Sequence, residues 1–137
     1  MDGGRILDKA HALKFLMGGY STFTVVGKST RFTYKTSIGK GKWTGCLFVK
    51  VLTGPDTFSA IGMIRSGTFV HTDRGGIGHD AQSVQAFGWL FRHGLKYDAQ
   101  FAKCEFWHSG HCGRCGRALT VPESIAQGLG PKCARAD

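Results

Sequence analysis

The sequence has no long apolar run and no recognisable export segment. No window approaches the roughly 18 uninterrupted apolar residues that a helix crossing a bilayer needs. The N-terminus, from Met1 to Lys9, lacks a basic stretch followed by an apolar one, which a secretion signal would contain. We therefore expect a cytoplasmic protein that has no membrane partner.

Acidic residues are also scarce. Asp and Glu together number 9 against 18 Lys and Arg, which gives a net charge of +9 and a pI near 9.6. This balance favours a polyanionic partner, although excess positive charge can also serve solubility alone. The few carboxylates fall in no His-x-Glu or His-Glu-x2-His frame, and no nucleophile forms a recognisable pair with a base. The sequence therefore predicts a protein that is not an enzyme.

The five cysteines cannot all pair with one another, because their number is odd. A disulfide framework is therefore disfavoured and a reducing compartment is expected. Cys112, Cys115 and Cys133 follow the pattern Cys-x2-Cys-x17-Cys. A Cys-x2-Cys turn presents two thiolates to one tetrahedral ion, and a third cysteine downstream can close the site. The spacing predicts one structural Zn²⁺, which would staple a segment too rich in turn residues to bury a core of its own.

The fourth zinc ligand has three candidates. His108 is preferred, because the three residues between it and Cys112 leave the backbone enough slack to bring the ring to the same ion. His111 directly precedes Cys112 and would need a sharper bend, and Cys104 would have to reach from further upstream. The predicted ligand set is therefore His108, Cys112, Cys115 and Cys133.

Residues 112 to 134 read CGRCGRALTVPESIAQGLGPKCA. With His108 in front, this segment resembles a small zinc-knuckle-like domain family of unknown function found in actinobacterial and bacteriophage proteins. The shared pattern is Cys-x2-Cys-Gly-Arg-x-Leu-Thr followed by Gly-x-Gly-Pro-x-Cys. The resemblance implies metal ligation by Cys112, Cys115 and Cys133, and it suggests a phage accessory protein acting in the host cytoplasm. It implies no activity.

Apolar periodicity divides the rest of the chain. Residues 5–17 carry apolar side chains at steps of three and four, which predicts a short amphipathic helix. From Tyr20 to about residue 72 the period changes to two, and turn signals separate the runs, which predicts an antiparallel meander of about five strands. A second helix is predicted from a cap at Asp80 to about His93.

These elements predict an α+β fold of two units. We expect residues 1–103 to form a meander flanked by two helices, and residues 104–137 to form a zinc-binding knuckle subdomain packed on it. Trp107 is expected to pack the knuckle against the main domain.

Two groups of side chains are candidates for contacting nucleic acid. Cationic side chains can bind phosphates, and a tryptophan beside them can stack on an unpaired base. The first group lies on or near one predicted hairpin loop and comprises Lys35, Lys40, Lys42 and Trp43. The second surrounds the knuckle and comprises Arg114, Arg117, Lys132 and Arg135.

These observations predict a non-enzymatic, zinc-binding module associated with nucleic acid or a nucleoprotein complex. The alternative is a phage-encoded inhibitor of a bacterial defence nuclease or nucleoprotein complex, similar in role to an anti-CRISPR protein. Such an inhibitor would use the same basic residues against a host defence protein and would not need to bind free nucleic acid.

Overall fold

A single antiparallel sheet of seven strands organises residues 4–135, the part of the chain that this computed structural model describes. The strands are β1 (Arg5–Ile6), β2 (Thr22–Val26), β3 (Arg31–Ile38), β4 (Cys46–Leu52), β5 (Phe58–Arg65), β6 (Thr68–His71) and β7 (Glu105–His108).

Five α-helices accompany the sheet in the described residues, which makes the protein α+β, as predicted. They are α1 (Lys9–Leu16), α2 (Gln82–Trp89), α3 (Asp98–Phe101), α4 (Pro122–Gln127) and α5 (Pro131–Arg135). None of the helices within residues 4–135 is long and apolar enough to cross a membrane.

The strand order in the sheet is β1-β7-β2-β3-β4-β5-β6. Strands β2 to β6 form an antiparallel meander in chain order, so the antiparallel arrangement predicted for residues 20–72 is confirmed. The sheet has seven strands rather than the predicted five or so, because β1 and β7 extend it beyond the meander at β2. These two strands are too short to show a period of two, and Ile6 of β1 also fits the helical spacing predicted for residues 5–17.

The first two helices begin differently from each other. The Asp8 carboxylate caps α1 by accepting the backbone N–H of Ala10 at 2.8 Å and of His11 at 3.1 Å, and these bonds lower the pKa of Asp8. Helix α2 begins after Ala81 without a side-chain cap, so the cap predicted at Asp80 is wrong. It continues into a π-helical turn over Leu90–Gly94, close to the predicted end.

The helices bury one face of the sheet with aromatic side chains. Phe15 of α1 meets the rings of Phe23 and Phe106 edge-on, at centroid distances of 6.3 and 6.0 Å. Phe87 of α2 meets Tyr34 at 5.1 Å and Phe69 at 4.8 Å. Because successive side chains of a strand point to opposite faces, the core of the protein lies between these helices and one face of the sheet.

The predicted boundary between residues 103 and 104 cuts through the sheet. Strand β7 lies between β1 and β2, and Phe106 pairs with Ile6 on one side and with Val25 on the other. Residues 105–108 therefore belong to the main sheet, and the knuckle segment begins only after His108.

Candidate metal centre

A tight turn after β7 presents the first two cysteines. The backbone N–H of Cys112 donates to Arg117 O at 2.7 Å, and the Gly116 N–H donates to Cys112 O at 2.9 Å. The Sγ atom of Cys112 accepts the backbone N–H groups of Arg114 at 3.4 Å and of Cys115 at 3.5 Å. Amide hydrogens directed at a sulfur favour its thiolate form, which is the form that binds metal.

The third cysteine returns on α5. Helix α4 begins at Pro122 and ends at Gly128, whose φ of +73° is the left-handed conformation that ends a helix. The Gly128 carbonyl accepts the Gly113 N–H at 2.9 Å, which holds the end of α4 against the cysteine turn. Helix α5 then brings Cys133 back to that turn.

The three sulfurs form one cluster. The Sγ atoms of Cys112, Cys115 and Cys133 all lie within 4.8 Å of one another. In a tetrahedral zinc site, Zn–S bonds of about 2.3 Å place the sulfurs roughly 3.8 Å apart, so a small contraction would let this cluster hold the ion. The prediction that these three cysteines can share a metal ion is confirmed.

The pKa values of two of the thiols are shifted from the ordinary cysteine value in opposite directions. Burial acts to raise the pKa of Cys112, but the N–H groups of Gly130, Cys115 and Arg114 outweigh it and lower this pKa to about 7. Burial raises the pKa of Cys133 to about 11, and the neighbouring sulfurs act in the same direction. Three thiolates repel one another at this distance, and a bound Zn²⁺ would offset that repulsion.

The prediction of His108 as the fourth ligand needs correction. The Nδ1 atom of His108 accepts the Gly110 N–H at 2.9 Å, which leaves Nε2 to carry the proton and donate to Ile125 O at 2.6 Å. The side chain is only 2% exposed, and burial lowers its pKa. With both ring nitrogens engaged, His108 is a buried neutral histidine that ties β7 to α4.

The two other candidates also lie outside the cluster. His111 is exposed and pairs through its backbone with Ala118 in an isolated bridge. Cys104 is buried, its thiol points to Phe101 O at 3.4 Å, and burial raises its pKa to about 11. Within residues 4–135, the only group of ligand-type side chains close enough to hold a metal is that of the three cysteines.

The knuckle segment is docked on α1 through close backbone contacts. The Tyr20 N–H donates to Gly113 O at 2.8 Å, and a Cβ atom on Gly113 would lie 2.6 Å from Cδ1 of Phe15. The Nζ atom of Lys14 donates to Ala134 O at 2.6 Å. Trp107 does not take part, because it lies on the face of the sheet away from Phe15, and this expectation is wrong.

The second predicted basic group surrounds the cluster. Arg117, Lys132 and Arg135 line an open groove of about 500 Å³ together with all three cysteines. Arg114 lies on a neighbouring groove that Cys133 also lines. All four cationic side chains are exposed, so the structure brings this group together around the metal centre.

The first predicted group lies elsewhere, at β3 and the loop that follows it. Lys40 and Lys42 lie in the loop that joins β3 to β4, and Lys42 Nζ is 5.3 Å from the Trp43 ring. Trp43 packs edge-on against Phe48 at 5.9 Å. Lys35 lies within β3 itself rather than in the loop. The Trp43 ring is therefore held by contact with the Phe48 ring, and sequence periodicity did not predict this contact.

The part of the chain that is similar to a known family contains β7 and the three clustered cysteines. Residues 105–136 match the model of a family of unknown function, DUF6011. No curated protein and no solved structure matches the chain. The match spans about a quarter of the sequence and carries no activity with it. The segment from β7 through the cysteine cluster is thus similar to a protein family whose function is unknown.

Proposed function

We propose that this protein is a non-enzymatic, zinc-binding module that associates with nucleic acid through basic side chains held around its metal centre. One observation carries this proposal: Arg117, Lys132 and Arg135 line the same groove as the three cysteines. Arginine and lysine beside a fixed backbone contact phosphates at a low ordering cost.

The balance of charges around the cysteine cluster favours the binding of an external anion. A Zn²⁺ ion with three thiolate ligands carries one net negative charge, which a single cation balances. Four cationic side chains surround the cluster, and none of them forms an ion pair with a carboxylate in the described residues. The remaining positive charge is available to phosphates.

The surroundings of the cluster support a structural role for the metal. Catalytic zinc needs an open coordination position and also a base, such as a carboxylate, that takes a proton from its bound water. No carboxylate joins the cluster within residues 4–135. A bound zinc ion would cross-link the cysteine turn to α5.

The first test measures nucleic-acid binding against salt. Zinc-loaded protein is titrated into labelled single-stranded and duplex DNA and RNA, and the affinity is followed from low to high salt. We expect the logarithm of the duplex affinity to fall by about 0.9 per decade of salt for each phosphate neutralised. The double variant Arg117→Glu with Lys132→Glu should flatten this slope, while Lys96→Glu, an exposed lysine that follows α2, should not.

Absence of binding to every nucleic acid at low salt would contradict the proposal.

We further propose a phage accessory role, which the resemblance of residues 112–134 to bacteriophage proteins supports. The alternative role as an inhibitor of a host defence nuclease would then be tested by affinity capture from host lysate. A stoichiometric protein partner that survives nuclease treatment would favour that alternative.

A further inference from the structure

One face of the sheet is left uncovered by the described residues. Alternate side chains along the strands point to the side that the helices cover, where Phe23, Tyr34 and Phe69 are buried. We call the other set the outer face. Its basic and large apolar members are Arg5, Val26, Arg31, Lys35, Phe48, Lys50, Leu52, Phe58, Met63, Arg65, Val70 and Trp107.

Two lysines face each other at the middle of this outer face. Lys35 of β3 pairs directly with Lys50 of β4, and both side chains are exposed. Like charges directly opposite each other on a sheet are destabilising. Within residues 4–135 neither lysine has a carboxylate partner, and Lys35 Nζ lies 5.5 Å from the Phe58 ring instead. An anion bound between the two cations would offset this repulsion.

An aromatic groove lies on one side of the lysine pair. Phe48 pairs with Met63, and Met63 pairs with Val70 on the next strand. Together with Trp43 these side chains line a groove of about 400 Å³, whose lining also includes Lys50 and Arg74. The groove thus combines ring surfaces with two cations.

A second aromatic position lies at the β1 side of the sheet. Trp107 pairs with Arg5 on one strand and with Thr24 on the other, and it lines a smaller groove of about 240 Å³. Its Nε1–H donates to Glu105 Oε1 at 2.9 Å. This bond holds the ring in place and engages Glu105, which is the carboxylate that the described strands contribute to the outer face.

We propose that the outer face binds single-stranded nucleic acid. Phosphates would bind Lys35 and Lys50, and unpaired bases would stack on the rings at Trp43 with Phe48 and at Trp107. Base stacking on aromatic side chains requires bases that are free of a duplex, and every base offers a ring face. This inference rests on the proposed nucleic-acid association and assigns it a second site and a strand preference.

The test uses the zinc-loaded full chain and a labelled single-stranded oligonucleotide, with a duplex of the same sequence alongside. The double variant Lys35→Gln with Lys50→Gln removes both charges and keeps the side-chain length. We expect its single-strand salt slope to be flatter by about 1.4, since each phosphate on a single strand contributes about 0.7. Its free energy of unfolding should not fall, because a repulsion has been removed. The control is Lys96→Gln with Lys103→Gln, two exposed lysines among the helices.

The stacking contribution is tested separately. Trp107→Ala should weaken single-strand binding by about 5- to 150-fold and duplex binding much less. Trp43→Ala provides a second variant at an independent position, so a folding defect in one does not decide the outcome. Equal weakening of single-strand and duplex binding by both variants would overturn the inference.

The two sites are distinguished by comparing the variants. If only Arg117→Glu with Lys132→Glu weakens single-strand binding, the outer face is overturned and the proposed function stands. If only the outer-face variants weaken it, the inference stands and the binding assigned to the metal centre fails. If no nucleic acid binds at all, both fail.

Discussion

At the scale of single residues, the five cysteines have different roles because their surroundings differ. Cys112, Cys115 and Cys133 converge, whereas Cys46 is buried in β4 and Cys104 is buried after α3. The three clustered thiols lie close together because amide hydrogen bonds to Cys112 Sγ and the backbone turns hold this part of the chain in place.

Replacing one clustered cysteine should remove the metal. We expect Cys115→Ser to reduce bound zinc from about one ion per chain to nearly none, because only two thiolates then remain. Cys46→Ser, outside the cluster, should retain the metal and is the matched control. Metal analysis of both purified variants measures this. Full zinc occupancy in Cys115→Ser would show that other residues complete the site.

His108 should make the protein sensitive to acid. Burial lowers the pKa of His108 below its ordinary 6.5, so the unfolded chain takes up this proton before the folded chain does. The stability contributed by neutral His108 is complete above pH 6.5 and is lost as the pH falls from 6.5 through the lowered pKa. Urea unfolding between pH 7.5 and 5 measures this loss.

The variant for this test is His108→Gln, whose amide can still donate to Ile125 O but cannot titrate. Its free energy of unfolding should fall less steeply with acid than that of the wild type. His93→Gln, at an exposed histidine, is the control variant. Identical pH dependence in the wild type and His108→Gln would contradict the assignment.

At the scale of elements, β7 joins the knuckle segment to the main core. Phe106 is fully buried, stacks on Phe23 at 4.7 Å and meets Phe15 edge-on at 6.0 Å. Phe106 therefore packs into the core from one face of β7, and Trp107 lies on the other face. The sheet therefore extends across the predicted boundary between residues 103 and 104.

Phe106→Ala should destabilise the whole sheet. Removing a fully buried phenylalanine costs about 3 to 5 kcal/mol of unfolding free energy. Phe58→Ala removes a ring of the same type from the half-buried outer face and should cost much less. Denaturant unfolding of the two variants compares these costs. Equal losses would show that β7 is not part of the main core.

The end of α4 controls how Cys133 returns. A Cβ atom on Gly128 would lie 2.5 Å from Cδ1 of Phe15, and the φ of +73° is strained for any other residue. Gly128→Ala should therefore displace α5 and weaken zinc retention in a chelator titration. Gly130→Ala is the control, because a Cβ atom there would have no atom within 4 Å. Equal retention by both variants would contradict the role of Gly128.

At the scale of the whole molecule, the sheet and the knuckle segment differ in what stabilises them. The main hydrophobic cluster runs from Ile6 to Phe106, and within the described chain no buried residue after Phe106 belongs to it. Cys112 and Leu129 are the buried apolar residues of the knuckle segment. The segment after His108 therefore depends on its contacts with α1 and, in the proposed function, on a metal ion held by the three cysteines.

Removing zinc should loosen one part of the molecule only. After chelation we expect faster amide hydrogen exchange in residues 109–135, while β2–β6 keep their protection because their core contains no metal ligand. Hydrogen exchange followed by mass spectrometry, with and without chelator, measures this. Loss of protection throughout the sheet would show that the metal stabilises the whole fold.

Several parts of the fold could be predicted because they depend on neighbours in the chain. The three cysteines were found by their spacing, and the meander β2–β6 by its period of two and its turn residues. Ser66 and Gly67, one of those turns, both have positive φ and join β5 directly to β6. The position of His108 outside the cluster could not be predicted this way, because its Nε2 atom donates to the carbonyl of Ile125, 17 residues away.

The sequence by itself determined the cysteine turn, the meander and the excess of positive charge, since each follows from local spacing or composition. Only the tertiary structure decided that β7 enters the sheet, because pairs such as Arg5 with Trp107 join residues about 100 positions apart in the sequence. It also decided that Lys35 pairs with Lys50 on the outer face. Strand register sets such pairings, and one residue of slippage would move every side chain of a strand to the other face.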